Sequence, residues 1–464
     1  MKTDLWNRIR DFDLDYPLSE YGFSTRLAHE NKWTKNFTKK AILEYKKFMY
    51  LAATSERMVS PSHIVDLVWH QHLIFTQSYK SFCEVLGKQI QHIPSTHDKN
   101  EVSVFKSAMD NTKKMYTEAF GEQPKEIWEY DDMYASLEIP EARFKFNKFL
   151  LSASTITLLL ALPLYFLLAP VYVQIPNPGF IVLMFMLVLT AFIVLEIINV
   201  NYMQKVSIDL KAKPVIRELH PMEVLYFKTQ TISKVIHGYS SHLISRGKIH
   251  VTSFKNVMLP ANQQASCSEE HVVMEAFEPS ENKPYTNLVN KLKSKTVFQN
   301  IVQSIDKIRE HIVNSKQFAN LFYLNFIVLA ALVLLTITRL ETGIANHKAL
   351  VYISIMSIGL ITASIIYLWK LRERYMAIIP RSFNKNHVNT QLNSLDWEWQ
   401  YYVLGSAFFV PAFLPLVNLV EQREHPNTFF GGCGSSGCGT SSCGSGCGSS
   451  CGGGCGGCGG GCGS

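Results

Sequence analysis

Four side chains between positions 66 and 92 are of the types that bind a transition metal. Asp66, His70, Cys83 and His92 offer the carboxylate, imidazole and thiolate ligands that zinc or copper accepts. Asp66 and His70 are four residues apart, so in a helix they share one face. Because the other spacings are not those of a known zinc finger, we treat the four residues as a candidate metal site only.

Two other interpretations of this segment stay open. Trp69 and the histidines can simply cap and pack a helical hairpin, which is the interpretation we favour. Cys83 could form a nucleophilic dyad with His70 or His92, but no orienting acid or oxyanion motif accompanies it. His72 cannot join His70 at one ion, because the two lie about 200° apart around a helix. The sequence therefore predicts no catalytic residue, and we lean away from an enzyme.

A second set of metal or redox ligands lies in the tail. Residues 431–464 contain 17 Gly, 8 Cys, 8 Ser and one Thr, a composition that cannot form a core and predicts a disordered, low-complexity segment. The thiols could bind zinc or copper(I) or undergo redox chemistry, or the segment could be only a tether or self-association element. These thiols belong to Cys433, Cys438, Cys443, Cys447, Cys451, Cys455, Cys458 and Cys462.

Long apolar runs dominate the rest of the chain. Of its 464 residues, 47% are hydrophobic and only 18% are charged, against roughly 25% charged in soluble domains. Since about 20 apolar residues cross a bilayer, four runs predict two transmembrane hairpins and exclude a purely soluble enzyme. The runs are 149–173, 180–200, 318–338 and 349–369.

Basic residues near the ends of these runs predict the orientation. These basic residues lie in the N-terminal region, in residues 201–317 and in residues 370–385. Because positively charged segments stay in the cytoplasm, all three regions are expected on that side. We therefore expect a multi-pass protein of the cytoplasmic membrane with a cytoplasmic N-terminus. Glu196 lies inside the second run, but it is close enough to the end to reach the headgroups, so we do not favour an ion-handling role.

Residues 401–420 allow two interpretations. They form a 20-residue uncharged run, which is long enough for a fifth span. Gly405, Pro411 and Pro415 weaken a membrane helix, and we therefore favour a docked or interfacial segment.

The two predicted cytoplasmic regions differ in charge. Residues 1–148 balance 21 basic against 21 acidic residues. Their apolar residues recur at helical spacing, which predicts an all-α domain with one helix over 101–120. One predicted apolar stripe comprises Ile42, Tyr45, Phe48, Met49 and Ala52. Residues 201–317 carry 16 basic against 10 acidic residues. Two helices, a strand and a long helix over 287–314 distantly resemble a winged-helix module. We do not expect nucleic-acid binding, because the membrane orientation already explains the lysines.

The segment V-D-L-V-W-H-Q-H-L-I-F-T-Q-S-Y-K-S-F-C-E-V-L-G-K-Q-I-Q-H-I-P-S-T resembles the glycine-rich domain-containing protein-like family. That resemblance supplies no reaction. Most of the chain also resembles a group of bacterial polytopic membrane proteins with a Cys/Gly-rich terminus, which implies a bacterial membrane location. The residues that match the first pattern are Asp66, Trp69, His70, His72, Tyr79, Cys83, Gly87, His92 and Pro94.

The expected fold is an all-α dominated polytopic membrane protein with a winged-helix-like insert and a disordered tail. Our leading hypothesis is a membrane-anchored scaffold or sensor that contacts the lipid bilayer and a protein partner or a second copy. The alternatives are a zinc- or copper-binding or redox-handling protein and, third, a transporter. The predicted regions are a helical domain (1–148), two transmembrane hairpins (149–200 and 318–369), the insert (201–317), a juxtamembrane region (370–430) and the tail (431–464).

Overall fold

The computed structural model describes residues 3–92, 102–252, 256–258, 264–276, 283–387 and 396–424. The regular structure of these residues is almost entirely α-helical, as the apolar periodicity predicted. The tail with its eight cysteines lies outside the described residues, so its predicted disorder and metal binding stay predictions.

The N-terminal region is a cluster of helices around aromatic side chains. The predicted stripe on the third helix is confirmed, because Tyr45, Phe48 and Met49 are almost fully buried. The predicted helix over 101–120 is present and ends before Gly121, whose φ is +87°. The helices are α1 (Thr3–Asp11), α2 (Phe23–Asn31), α3 (Lys35–Thr54), α4 (His63–Ile74), α5 (Thr76–Leu86), α6 (Val102–Phe120) and α7 (Lys125–Trp128), followed by a 3-10 turn (Ala135–Leu137).

Four helices are long and apolar enough to cross a membrane, and they contain the four runs identified in the sequence. One of them packs against the other three and is the most buried of the set. The others expose large side chains such as Leu158, Leu183 and Ile355, as expected of helices that face lipid. We call these four helices the apolar bundle: α8 (Phe146–Gln174), α9 (Asn177–Ala212), α16 (Lys316–Ala345), which is the central one, and α17 (Val351–Met376).

The region between α9 and α16 folds into short helices and a small antiparallel sheet of order β1-β2-β3. One expectation is wrong here: residues 287–314 are not one helix, because the chain breaks at Ser294 and Lys295. The elements are α10 (Pro214–Arg217), α11 (Pro221–Thr229), α12 (Ile232–Ser245), β1 (His250–Val251), β2 (Asn256–Met258), α13 (Ser268–Ala276), β3 (Lys283–Pro284), α14 (Tyr285–Lys293) and α15 (Thr296–Val313).

The ambiguous run at 401–420 is docked and broken into pieces. Tyr401 donates from its hydroxyl to the Lys234 carbonyl at 2.8 Å, and Tyr402 donates to the Pro380 carbonyl at 2.8 Å. No single helix covers the run, so the fifth-span interpretation does not describe this structure. The elements are α18 (Ile378–His387), α19 (Trp397–Leu404), a 3-10 turn (Gly405–Phe408) and α20 (Leu414–Glu424).

The regions expected to form separate domains share one core. Buried side chains form a continuous hydrophobic cluster from Trp6 through Tyr239 to Val420, and α2 packs directly against α15. We call described residues 3–145, 213–315 and 377–421 the helical head. Polar contacts such as Asn36 Nδ2 to the Glu218 carbonyl, at 2.7 Å, reinforce this packing between distant parts of the chain.

Candidate functional site

Helix α4 and the segment after α5 place the candidate metal ligands. The Ser62 hydroxyl caps α4 by accepting from the Val65 N–H at 3.2 Å, which sets Asp66 in the first turn. The apolar face of α4, including Val65 and Val68, is buried. Asp66 and His70 therefore lie on the more exposed side, one turn apart.

His92 reaches the same place from a different element. The chain leaves α5 through Gly87, whose φ of +72° is left-handed and favours glycine. The Tyr79 hydroxyl then holds the returning segment by donating to the Ile90 carbonyl, while the Trp69 indole N–H donates to Tyr79 at 3.2 Å. The His92 ring packs edge-on against Trp69 with 4.6 Å between ring centroids, so its direction is fixed.

Asp66 lies between the two imidazoles. Its Oδ1 is 2.9 Å from His92 Nε2 and its Oδ2 is 3.2 Å from His70 Nδ1. The ring centroids of His70 and His92 are 4.4 Å apart, and one ligand atom from each of the three residues lies within 4.8 Å of the others. The geometry brings together one carboxylate and two imidazoles.

One of these separations, between Asp66 Oδ2 and His70 Nδ1, matches the spacing of two zinc ligands. Zinc–nitrogen and zinc–oxygen bonds of about 2.0–2.2 Å in a tetrahedron put neighbouring donors about 3.3 Å apart. The Asp66 to His70 distance of 3.2 Å is close to that value. Three protein ligands leave a fourth position for water or another ligand. A cavity of about 340 Å³ lined by Asp66, His92, Arg57 and Lys88 adjoins the group and provides room for it.

Two residues considered in the sequence analysis, Cys83 and His72, do not belong to this group. Cys83 is buried on α5 and is absent from the clusters of three or more metal-ligand side chains found among the described residues. His72 faces the core, where its Nδ1 is 2.8 Å from the Tyr45 hydroxyl and its Nε2 is 3.1 Å from Ser78 Oγ. Burial, and then the nearby charge of Lys46, lower the pKa of His72 to about 4. His72 is therefore a neutral core histidine, in agreement with the packing interpretation.

A charged cluster that sequence reasoning missed lies where the N-terminal helices meet α11 and α13. The Lys35 ammonium pairs with Glu269, and the Lys35 backbone N–H donates to Glu223 Oε1 at 2.7 Å. Although burial alone would raise it, Lys35 lowers the pKa of Glu269 to about 2. Burial raises the pKa of Glu223. The group borders a cavity of about 330 Å³ and joins residues about 190 and 230 positions apart, so no local pattern could have revealed it.

Several polar groups inside the apolar bundle are paired across helices. Arg374 Nη2 donates to Glu196 Oε2 at 2.9 Å, and Nη1 donates to the other oxygen. Asn199 and Asn325 exchange amide hydrogen bonds at 2.9 and 2.8 Å. Buried Arg339 donates to backbone carbonyls of the α8 terminus. These contacts connect the helices and leave Glu196 in an ion pair.

The comparisons with known proteins concern the N-terminal region. Residues 9–117 match a family model described as UCP032817-like, and this range contains Asp66, His70 and His92. The chain is 28% identical over 109 residues to "Glycine-rich domain-containing protein 1" of Arabidopsis thaliana, covering 22% of this chain and 13% of that protein. It is 28% identical over 91 residues to "Glycine-rich domain-containing protein 2" of the same plant, covering 18% and 12%.

These matches support the predicted resemblance for that region alone. The chain spans about one eighth of the length of either relative, and no solved structure matches it significantly. The comparisons assign no activity to this region, and the four apolar helices make the chain compatible with a membrane location.

Proposed function

We propose that this protein is a membrane-anchored sensor whose cytoplasmic head binds a divalent transition metal, with zinc as the best match. The observation that carries the proposal is the convergence of Asp66, His70 and His92 within 4.8 Å of one another. Their ligand types are those of zinc sites that keep one open position.

The position of the site favours sensing over anchoring alone. His70 is on α4 and His92 is on the segment after α5, so a shared ion would join two elements that are otherwise linked by hydrogen bonds and packing. Helix α4 packs on α3, and α3 begins at Lys35, which contacts Glu269 on α13. Metal binding would therefore restrict the motion of α4 and, through α3, of the Lys35–Glu269 contact in the middle of the head.

The apolar bundle supports the anchoring part of the proposal. Its four helices are long and apolar enough to span a bilayer. The pairing of Glu196 with Arg374 offers no specific support for ion transport. We therefore rank the sensor above the transporter, and above a scaffold that binds no metal.

Zinc titration of the full chain tests the proposal. The detergent-purified protein would be stripped with a chelator and treated with N-ethylmaleimide, which blocks the tail thiols but leaves carboxylate and imidazole ligands intact. We expect one zinc ion per chain by calorimetry. The double substitution His70→Ala with His92→Ala should weaken binding by more than about 100-fold, because direct ligands matter more than the outer-shell partners whose loss costs 10- to 100-fold.

His63→Ala is the matched control, since His63 is exposed on the same helix and lies outside the three-residue group. It should bind zinc as the unsubstituted chain does. Equal zinc binding by the double variant, or no binding by the alkylated chain, would leave the scaffold hypothesis as the better one.

A further inference from the structure

We propose that a basic cavity at the junction of head and bundle binds the phosphate headgroup of an anionic phospholipid. The cavity has a volume of about 490 Å³ and lies between the start of α8, the end of α15 and the end of α17. The inference rests on the proposed membrane anchoring and is independent of the metal site.

The charge of the cavity is positive. Its lining contains the cations Lys145, Lys148, Arg309 and Arg372 against the carboxylates Asp306 and Glu310, a difference of two. Among the residues that the structure describes, no ion pair involves Lys145, Lys148 or Arg372. An anion from outside the protein would therefore find cations that are not already neutralised.

Two of the remaining charged groups of the lining, Asp306 and Arg309, have their own partners. Asp306 accepts from the Tyr226 hydroxyl at 3.3 Å through both carboxylate oxygens. Arg309 donates to the Phe227 carbonyl at 3.2 Å, and burial lowers its pKa. Arg309 is thus held in the lining of the cavity, where its charge still adds to the field on a bound anion.

The level of the cavity relative to the apolar runs fits a lipid headgroup. Lys148 directly precedes the apolar run that begins at Phe149, and Arg372 lies three residues after Trp369, where the fourth run ends. In a membrane this is the level of the headgroups, where basic pockets between helices bind anionic lipids. The Leu151 side chain, 74% exposed on the next turn of α8, offers apolar surface to an acyl chain.

The start of α8 contributes in a second way. Asn147 lines the cavity in the first turn of this 29-residue helix, where unpaired N–H groups and the helix dipole favour negative charge. The Phe146 N–H is already engaged by Asn314 Oδ1 at 3.3 Å. The cation cluster is therefore the main source of affinity, and the helix terminus adds to it.

The test uses the full chain in detergent with phosphatidylglycerol, phosphatidylcholine or inorganic phosphate added, and native mass spectrometry to count retained molecules. We expect one phosphatidylglycerol per chain and no such preference for phosphatidylcholine. The double substitution Lys148→Gln with Arg372→Gln should weaken retention about thirtyfold, since each juxtamembrane cation strengthens lipid binding about fivefold.

Lys205→Gln is the matched control, because Lys205 is exposed on α9 just beyond the second run and does not line the cavity. It should retain the lipid. An unchanged melting temperature of the double variant would show that it is folded. Equal retention of the two lipids, retention by the double variant, or displacement of the lipid by millimolar phosphate would overturn the inference. The membrane anchoring itself is tested separately by labelling from outside the cell.

Discussion

His72 and Tyr45 show how a polar side chain is kept in the N-terminal core. The imidazole is fully buried and contacts the Tyr45 hydroxyl and Ser78 Oγ. A neutral imidazole has one donor and one acceptor nitrogen, so both contacts can be satisfied without charge. Protonation would make both nitrogens donors and would place a charge in a region that excludes water.

The lowered pKa of His72 predicts a pH dependence of stability. Histidine in the unfolded chain has a pKa near 6.5, whereas folded His72 has a pKa of about 4. Between these values the unfolded chain binds the proton and the folded chain does not. The stability that neutral His72 contributes is therefore fully present above pH 6.5. About 3 kcal/mol of the free energy of unfolding is lost as the pH falls to about 4.

The substitution His72→Gln removes this titration and should flatten the dependence. Hydrogen exchange of the α4 amides, measured from pH 7.5 to 4, reports the opening free energy. His63→Gln, an exposed change on the same helix, should keep the slope of the unsubstituted chain. An identical slope in the His72 variant would show that other groups cause the dependence.

At the scale of helices, hydrophobic spacing predicted much of the fold. The stripe through Tyr45, Phe48 and Met49 is buried as expected, and the four apolar runs lie in four long helices. The break at Ser294 and Lys295 was missed because the residues on both sides keep helical periodicity, and the change of direction depends on packing between distant helices.

The candidate site was predicted only where helical geometry determines it. Asp66 and His70 share a face because they are four residues apart. The approach of His92 depends on a turn at Gly87 and on the Tyr79 hydrogen bond to Ile90, which the sequence does not specify. The burial of Cys83 away from the group likewise follows from how α5 packs.

The docking of α19 onto α12 allows a specific prediction for a substitution at Gly238. A Cβ added to Gly238 would lie 2.6 and 2.7 Å from two atoms of the Tyr401 ring and 3.1 Å from Met222 Cε. The Tyr401 ring is buried and its hydroxyl is bonded to the Lys234 carbonyl, so it cannot move freely. Gly238→Ala should destabilise the docked helix by about 1–3 kcal/mol.

Faster hydrogen exchange over residues 397–404, with unchanged exchange in the apolar bundle, would support this packing. The control is Gly359→Ala, because an added Cβ there meets nothing within 4 Å. It should leave the exchange of residues 397–404 unaltered. Unchanged exchange in the Gly238 variant would mean that α19 does not dock on α12 as described.

For the molecule as a whole, the sidedness of the head determines the chemistry available to it. A cytoplasmic head lies among reduced thiols, so the metal site and any tail cysteines would meet a pool that prevents disulfides. Residues 401–420 are docked rather than spanning. Among the described residues, no further helix long and apolar enough to span a membrane follows α17. We therefore expect the tail thiols to stay reduced and able to bind soft metals.

The orientation can be measured with single cysteines in a chain whose ten native cysteines are replaced by serine. Asn346 follows α16 and is exposed at the end of the apolar bundle that lies away from the head. With four spans and a cytoplasmic N-terminus, Asn346→Cys should react with an impermeant maleimide added to intact cells. Lys205→Cys should react only after the membrane is permeabilised, because positive segments remain inside. If Lys205→Cys were labelled in intact cells and Asn346→Cys were protected, the orientation would be the reverse of the predicted one. The head, its candidate zinc site and the basic cavity would then lie outside the cytoplasm.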